Sequence, residues 1–142
     1  MPPDPSIPHA GPRQGDLHVF GYGSLIWKPG FEHVGTHPAL LRGFHRRFCL
    51  WSRLYRGTPA APGLVLGLDR GGACRGLVFR VPAQRAADVI AYLDAREIPR
   101  GEDVYVRRML PVRLLDQDRV VQAVAYVANR RHPSYCRPCP DT

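Results

Sequence analysis

The sequence predicts a single α+β domain in which antiparallel β-hairpins outnumber helices. Three observations predict this class: two stretches with the pattern of a hairpin, one amphipathic helical stretch, and no internal repeat with a period of about 20–50 residues. The chain has 142 residues, of which 44% are hydrophobic, and this is enough for one domain with its own core.

The strands of the first half are predicted from short apolar runs. Residues 17–21 predict a strand that ends at a glycine turn, and residues 44–51 mix apolar and basic residues as a partly exposed strand does. Residues 63–81 contain two apolar runs on either side of Arg70-Gly71-Gly72. Since glycine pairs favour tight turns, this stretch predicts a hairpin.

A second hairpin is predicted for residues 106–128, with its turn at Asp116-Gln117-Asp118. Its first strand contains Pro111. Because proline has no N–H to donate to a neighbouring strand, this residue limits the strand to an edge or a bulge.

One helix is predicted between the hairpins, from about Pro82 to Glu97. Proline suits the first helical position, and Ala86, Ile90 and Leu93 form an apolar stripe at helical spacing. The next position of this stripe, four residues after Leu93, is Glu97. The pattern therefore places a carboxylate on the face that should be buried.

Glu97 has two interpretations. Either the helix has ended there, or Arg96 or Arg100 pairs with the carboxylate, and the residue is then structural. In the other interpretation, partial burial and the negative end of the helix dipole both raise the pKa of Glu97. A general base that works near neutral pH needs such a shift.

The chain is strongly basic, with a net charge of +8 and 19 arginines against one lysine. This charge favours anionic partners, including nucleic acid, but the arginines form no dense cluster and do not alternate with aromatic residues. Nucleic acid is therefore not the expected partner. No stretch is apolar enough to span a membrane. Residues 1–16 predict a disordered leader without the apolar centre of a secretion signal, so the expected location is the cytoplasm.

The four cysteines do not indicate a disulfide framework. Cys49 and Cys74 lie in apolar contexts, where cysteine is usually a small buried hydrophobe. Cys136 and Cys139, with His132 before them, have a spacing that zinc could use, but a closed zinc site needs a fourth ligand. A redox pair would stand at a helix start. We expect an irregular tail over residues 136–142 and no metal.

The stretch "HVFGYGSLIW", residues 18–27, places two glycines between apolar runs. It lacks the third glycine of a dinucleotide fingerprint, the flanking glycines of a nucleophile elbow and the lysine of a phosphate loop. The turn is then either a tight turn without a ligand or a concave group of main-chain N–H donors. Such a group binds carboxylates or developing oxyanions.

Five blocks of the chain resemble the ChaC-like γ-glutamylcyclotransferases, which act on glutathione. They cover about residues 18–135 and are, in order, "VFGYGSLIWKPGFE", "GFHRRFCLWS", "YRGTPAAPGLVLGLDRGGACRGLVFRV", "AYLDARE" and "VAYVANRRHPSY". The resemblance implies a mixed β-barrel core with a flanking helix, no metal and no organic cofactor. It also implies a reaction in which the α-amine of a γ-glutamyl peptide attacks its own γ-carbonyl and gives 5-oxoproline.

The resemblance also implies roles for particular residues. Glu97 would be the catalytic base, and the γ-glutamyl group would be held by the loop of Tyr22, Gly23, Ser24 and Leu25. Ser52 and Arg56 match a further block, in which Arg56 either faces the glycine carboxylate of glutathione or braces the loop. Tyr105 either reaches the pocket or packs against the sheet.

Two segments depart from the family pattern. Residues 98–103, after Glu97, do not match the family pattern. After "HPSY" the family continues with a helical segment, where this chain reads "CRPCPDT". We therefore expect a C-terminally truncated domain over residues 17–135. The alternatives are an inactive relative that binds γ-glutamyl compounds or a protein partner, and a basic nucleic-acid-binding module.

Overall fold

The computed structural model of the chain describes residues 15–51, 63–98 and 103–136, without the side chains of Ser24 and Trp27. Its elements are, in chain order, β1 (Leu17–Gly21), α1 (Ser24–Trp27), β2 (Gly35–Trp51), β3 (Leu64–Val81), α2 (Ala86–Glu97), β4 (Tyr105–Leu114) and β5 (Arg119–Ala128). The five strands close into a mixed barrel in the order β1-β3-β2-β4-β5. The α+β prediction is confirmed.

Strands β2 and β3 form one long antiparallel ribbon, and the hairpin predicted within residues 63–81 is wrong. These residues belong to a single strand, β3, which pairs with β2 over its length. At the middle of the ribbon, Gly71 and Gly72 together oppose Gly43, and all three have positive φ. The glycine pair therefore forms an irregularity inside a strand, since the conformations that suit a turn also suit a β-bulge.

The second predicted hairpin is present as β4 and β5, joined by a turn in which Asp118 has a φ of 48°. Strand β4 pairs with β2 only through Leu114 and Arg113, at the far end from Tyr105. Pro111 pairs with Gln122 of β5 and lies outside that short contact with β2. Its missing N–H therefore costs no ladder bond on the β2 side, as the edge prediction requires.

Helix α2 covers most of the predicted helix, after a short 3₁₀ turn at Ala83–Arg85. Before it, the buried carboxylate of Asp16 accepts hydrogen bonds of 3.2 Å from Arg80 Nη1 and from the Ala83 N–H. Asp16, the last residue of the predicted leader, is thus hydrogen-bonded to β3 and to the 3₁₀ turn before α2. Residues 1–14 lie outside the described residues.

Two hydrophobic clusters use the two faces of β1. Phe20 points into the barrel, whereas its neighbour Val19 points outward under α2, as the alternation of a strand dictates. On α2, the fully buried positions are Val89 and Leu93, while Ala86 and Ile90 of the predicted stripe are only partly buried. The outer cluster therefore fixes α2 to the barrel wall and places the end of the helix near the end of β1.

The segment after β5 runs beside the far end of β2. Its contacts there are an antiparallel bridge between Leu50 and Tyr135 and a 2.8 Å hydrogen bond from the Cys136 N–H to the Cys49 carbonyl. Cys49, Cys74 and Cys136 are all buried, and Cys139 lies outside the described residues. Within the described ranges, no helix is long and apolar enough to cross a membrane.

Candidate active site

A cleft of about 260 Å³ lies where the glycine turn, the end of α2 and the start of β4 meet. It is lined by Phe20, Tyr22, Gly23, Leu25, Leu66, Glu97, Tyr105 and Tyr126. Five of the residues predicted for the site are thus brought together, although they come from three separate parts of the chain. The volume is at the small end for ligand pockets and suits a small substrate group.

The remaining predicted residues are not placed in this cleft. The main chain of Ser24 begins α1, but its side chain is not described. Ser52 and Arg56 lie outside the described residues. In the part of the chain that the structure describes, no group of three or more His, Cys, Asp or Glu side chains could hold a metal ion.

The glycine turn is a tight turn that also lines the cleft. Gly23 has a φ of 62°, a left-handed backbone conformation that residues other than glycine rarely adopt. A Cβ atom on Gly76 of β3 would lie 2.4 Å from the carbonyl oxygen of Gly21. Strand β3 can therefore pass this close to the glycine turn only because residue 76 is a glycine. The Ile26 N–H donates to the Gly23 carbonyl at 3.0 Å. Ser24 and Leu25 begin α1 directly after this turn, and Leu25 lines the cleft.

Glu97 is the last residue of α2, and 22% of its side chain is exposed. The helix has therefore not ended before it. Arg96 forms an ion pair with Glu97, at 3.9 Å from Nε to Oε1, which is longer than a hydrogen bond. The Arg96 guanidinium instead donates to the carbonyls of Lys28 and Pro29. Burial raises the pKa of Glu97, and the charge of Arg96 offsets only part of this. Its carboxylate is thus a better proton acceptor near neutral pH than an exposed glutamate.

The side chains of two tyrosines, Tyr22 and Tyr105, line the cleft together with Glu97. Tyr105 donates a 2.8 Å hydrogen bond to the Leu66 carbonyl, and burial with the nearby Glu97 charge raises its pKa to about 12. Burial, Tyr105 and Glu97 also raise the pKa of Tyr22 well above its ordinary value. Both hydroxyls therefore remain protonated at physiological pH. Since the proton of Tyr105 is used by the Leu66 carbonyl, its oxygen can accept a further hydrogen bond.

Tyr126 is a cleft residue that sequence reasoning missed. Its hydroxyl donates a 2.6 Å hydrogen bond to Asp94 Oδ1, and Arg107 of β4 donates to Oδ2 of the same carboxylate. Asp94 lies three residues before Glu97 on α2. The sequence predicted a hairpin over residues 106–128, but which of its side chains faces a cleft depends on how the barrel closes.

A second cleft, of about 640 Å³, shares no lining residue with the first. It is lined by Phe44, Arg70, Asp103, Val106, Arg108, Val127, Ala128, Asn129, Arg130 and Arg131. Although larger, it combines four arginines with four apolar side chains, and its one carboxylate belongs to the exposed residue Asp103. The smaller cleft is therefore the better candidate for acid–base chemistry.

Comparison with known proteins gives the family of the chain. A family model described as ChaC-like protein matches residues 17–142. The chain belongs to the ChaC-like family. Among ChaC-like relatives, a glutathione-specific gamma-glutamylcyclotransferase of Escherichia coli is 36% identical over 124 residues, which cover 87% of this chain and 52% of that protein. Glutathione-specific gamma-glutamylcyclotransferase 1 of Mus musculus is 35% identical over 145 residues, covering 96% of this chain and 64% of that protein.

The ChaC-like assignment extends to the fold. The crystal structure of a selenomethionine-labelled gamma-glutamyl cyclotransferase specific to glutathione from yeast matches with a TM-score of 0.73 and 25% identity. The match covers 89% of this chain and 74% of the yeast chain. The chain spans about half to two thirds of the length of the Escherichia coli and mouse relatives.

Proposed function

We propose that this ChaC-like chain is a γ-glutamylcyclotransferase that acts on glutathione. The observation that carries the proposal is that Glu97, a carboxylate of raised pKa, faces the same small cleft as Gly23 and the start of α1. The names of the relatives support glutathione as the substrate. The cytoplasm is proposed as its location, because a reduced thiol peptide is the main redox buffer there.

The first step is the formation of a nucleophile. The α-amine of the γ-glutamyl group arrives as an ammonium ion and must lose one proton before its nitrogen lone pair can attack. Glu97 is the proposed acceptor of this proton, since burial makes its carboxylate more basic than usual. The amine then attacks the γ-carbonyl carbon of the same glutamyl group and closes the five-membered ring.

The second step releases cysteinylglycine. As the bond between the γ-carbonyl carbon and the amide nitrogen breaks, that nitrogen needs a proton, and Glu97 returns the one it accepted. The ring nitrogen still carries a second proton of the former ammonium ion. Glu97 takes this proton in turn and passes it to the released amine, which leaves a neutral lactam N–H and an ammonium group on cysteinylglycine. The products are 5-oxoproline and cysteinylglycine, so the reaction is a lyase reaction that needs no further reactant. One carboxylate serves both transfers because the entering and leaving nitrogens flank the same carbonyl carbon.

The rest of the cleft would position the substrate and stabilise charge. The N–H groups at the start of α1 suit the α-carboxylate or the oxygen that becomes negative during attack. The protonated hydroxyl of Tyr22 is a further donor, and the oxygen of Tyr105, whose proton is donated to the Leu66 carbonyl, is an acceptor for the substrate. Because ring closure is intramolecular, much of the catalytic effect comes from holding the glutamyl chain in a bent, near-attack conformation.

The test is incubation of the purified chain with glutathione, with detection of 5-oxoproline and cysteinylglycine by mass spectrometry. Glu97→Gln should reduce turnover by about 10²–10⁴-fold, the usual effect of acid–base catalysis. Asp88→Asn is the matched control, since this carboxylate lies on the same helix with 80% of its side chain exposed. It should leave turnover unchanged.

The possible results separate the candidate functions. Full activity of Glu97→Gln would show that another group is the base. Absence of product from the folded wild-type chain would exclude the enzyme and favour a relative that only binds γ-glutamyl compounds. Binding without turnover is then measured by calorimetry with glutathione.

A further inference from the structure

A buried carboxylate joins three segments close to the cleft. Asp69 of β3 has 1% of its side chain exposed and accepts hydrogen bonds from Arg47 Nη1 of β2 at 2.7 Å and from Arg130 Nε at 2.7 Å. It also accepts from the Tyr135 hydroxyl at 2.6 Å and from the Arg70 N–H at 3.0 Å. We call Arg47, Asp69, Arg130 and Tyr135 the Asp69 cluster.

The Asp69 cluster is held together by charge. Burial alone would raise the pKa of Asp69, but the hydrogen bonds from Arg130, Tyr135 and Arg47 outweigh it and lower the pKa to about 2. The carboxylate is therefore ionised at neutral pH, between two guanidinium groups. Short, charge-assisted bonds in several directions fix the position of such a group more firmly than apolar packing does.

The main chain just before Asp69 holds the tyrosines of the cleft. Leu66 lines the cleft, and its carbonyl accepts the hydrogen bond from Tyr105. The main chain of Leu68 forms a hydrogen bond with the Tyr22 hydroxyl. Side chains alternate along a strand, so Leu68 packs in the barrel core while Asp69 binds its partners on the other face. This short piece of β3 is thus attached on both faces.

We propose that Asp69 is a positioning residue for the cleft, because it fixes the main chain of Leu66–Leu68 and, through it, the hydroxyls of Tyr22 and Tyr105 opposite Glu97. Its role in turnover rests on the proposed cyclotransferase function. Asp69 itself is not among the residues that line the cleft. It acts by setting the distance between the hydroxyls of Tyr22 and Tyr105 and the carboxylate of Glu97.

The kinetic test uses two variants and a control. Asp69→Asn removes the charge. Tyr135→Phe removes the hydroxyl that donates to Asp69 and accepts a 3.2 Å hydrogen bond from Arg47 Nη1, while the bonds from both arginines to Asp69 remain possible. Each should raise the KM for glutathione and lower kcat/KM by about ten- to hundredfold, since small displacements of positioning groups have effects of this size. Asp118→Asn is the control: its exposed carboxylate pairs with Arg113 in the β4–β5 turn, and its kinetic constants should equal those of the wild type.

A purely structural role gives a different result. Loss of folded protein lowers the apparent kcat in proportion and leaves KM unchanged. The thermal midpoint of each variant is therefore measured alongside its kinetics. If Tyr135→Phe melts like the wild type and keeps its KM and kcat, the positioning role is wrong even though the enzyme is active.

Hydrogen exchange separates this proposal from the proposed function. In Tyr135→Phe, the amides of residues 64–69 should exchange at least about tenfold faster, while those of β4 and β5 stay as in the wild type. This readout needs no turnover, so a wild-type chain that leaves glutathione intact would refute the cyclotransferase function alone. Unchanged exchange in residues 64–69 would refute the positioning role.

Discussion

The hydroxyl of Tyr126 on β5 donates a 2.6 Å hydrogen bond to Asp94 of α2, one turn before Glu97. Arg107 of β4 donates to the other oxygen of this carboxylate. The last turn of α2 is therefore tied to two strands of the barrel. Glu97 follows directly from that fixed turn, so the orientation of the proposed base depends on residues outside its own helix.

Tyr126→Phe should test this attachment. It removes a buried hydrogen bond to a charged acceptor and should reduce the free energy of unfolding by about 1.5–3 kcal/mol, measured by urea denaturation. It should also reduce kcat/KM, since the last turn of α2 loses one of its two ties. Tyr92→Phe is the control, because Tyr92 on the same helix is 39% exposed and its hydroxyl accepts only an exposed 3.2 Å hydrogen bond from Arg96. It should lose no more than about 0.5 kcal/mol. Equal losses from both variants would contradict the attachment.

The pH dependence of turnover should carry the signature of Glu97. Burial raises its pKa above the ordinary value of 4.5, and a base acts only when deprotonated. We therefore expect kcat/KM to fall as the pH falls, with a midpoint above pH 4.5. Arg96→Gln should move the midpoint further upward, because the charge of Arg96 lowers the pKa of Glu97. A midpoint at or below 4.5 would mean that a different group controls the acidic limb.

The stability of the fold should depend on Asp69 in acid. Its folded pKa, about 2, lies below its ordinary value of 3.8, so the ionised form is favoured by folding. This contribution, about 2 kcal/mol, is complete above pH 3.8 and is lost as the pH falls through 2. Urea denaturation should show that the difference in the free energy of unfolding between the wild type and Asp69→Asn becomes smaller as the pH falls from 4 to 2. A difference that stays constant over this range would rule out the ionised carboxylate as its source.

Gly76→Ala should be poorly tolerated. The new Cβ would lie 2.4 Å from the Gly21 carbonyl oxygen and 2.8 Å from Phe20 Cζ, and the main-chain oxygen cannot move without shifting β1. We expect a loss of roughly 1–3 kcal/mol in stability and reduced turnover, since Tyr22 follows Gly21 directly. At Gly35, a Cβ would have no neighbour closer than 3.6 Å, so Gly35→Ala serves as the control in thermal denaturation. Similar midpoints for both variants would show that β1 and β3 can separate at little cost.

The sequence predicted the elements of this fold better than their connections. Periodicity placed α2 and the carboxylate of Glu97 on its buried face, because both depend on residues within a few turns of one another. The glycines after Arg70 were misread, since a left-handed glycine serves a bulge inside a long strand as well as it serves a turn. Whether such a residue ends a strand depends on the partner strand, which local pattern does not contain.

The candidate site divides in the same way. The glycine turn and Glu97 follow from motifs. Tyr126 instead acts through Asp94, 32 residues away along the chain, and Asp69 acts through partners 22 to 66 residues away. Asp69 follows an apolar run, and aspartate is a residue type that is common in turns. Its burial is explained only by the two arginines and the tyrosine that the closed barrel brings to it.

The place of β1 in the barrel has a consequence for the order of folding. This strand lies between β3 and β5, and its parallel partner in β5, Val124, is 105 residues beyond Val19. The two long antiparallel pairs, β2 with β3 and β4 with β5, are local in sequence and can form without β1. Inserting β1 closes the largest chain loop, and because this step has the highest entropic cost we expect it to be the slowest. Because β1 leads directly into Tyr22 and Gly23, refolding chains should regain turnover only with the slowest kinetic phase, after most of their β-structure has returned.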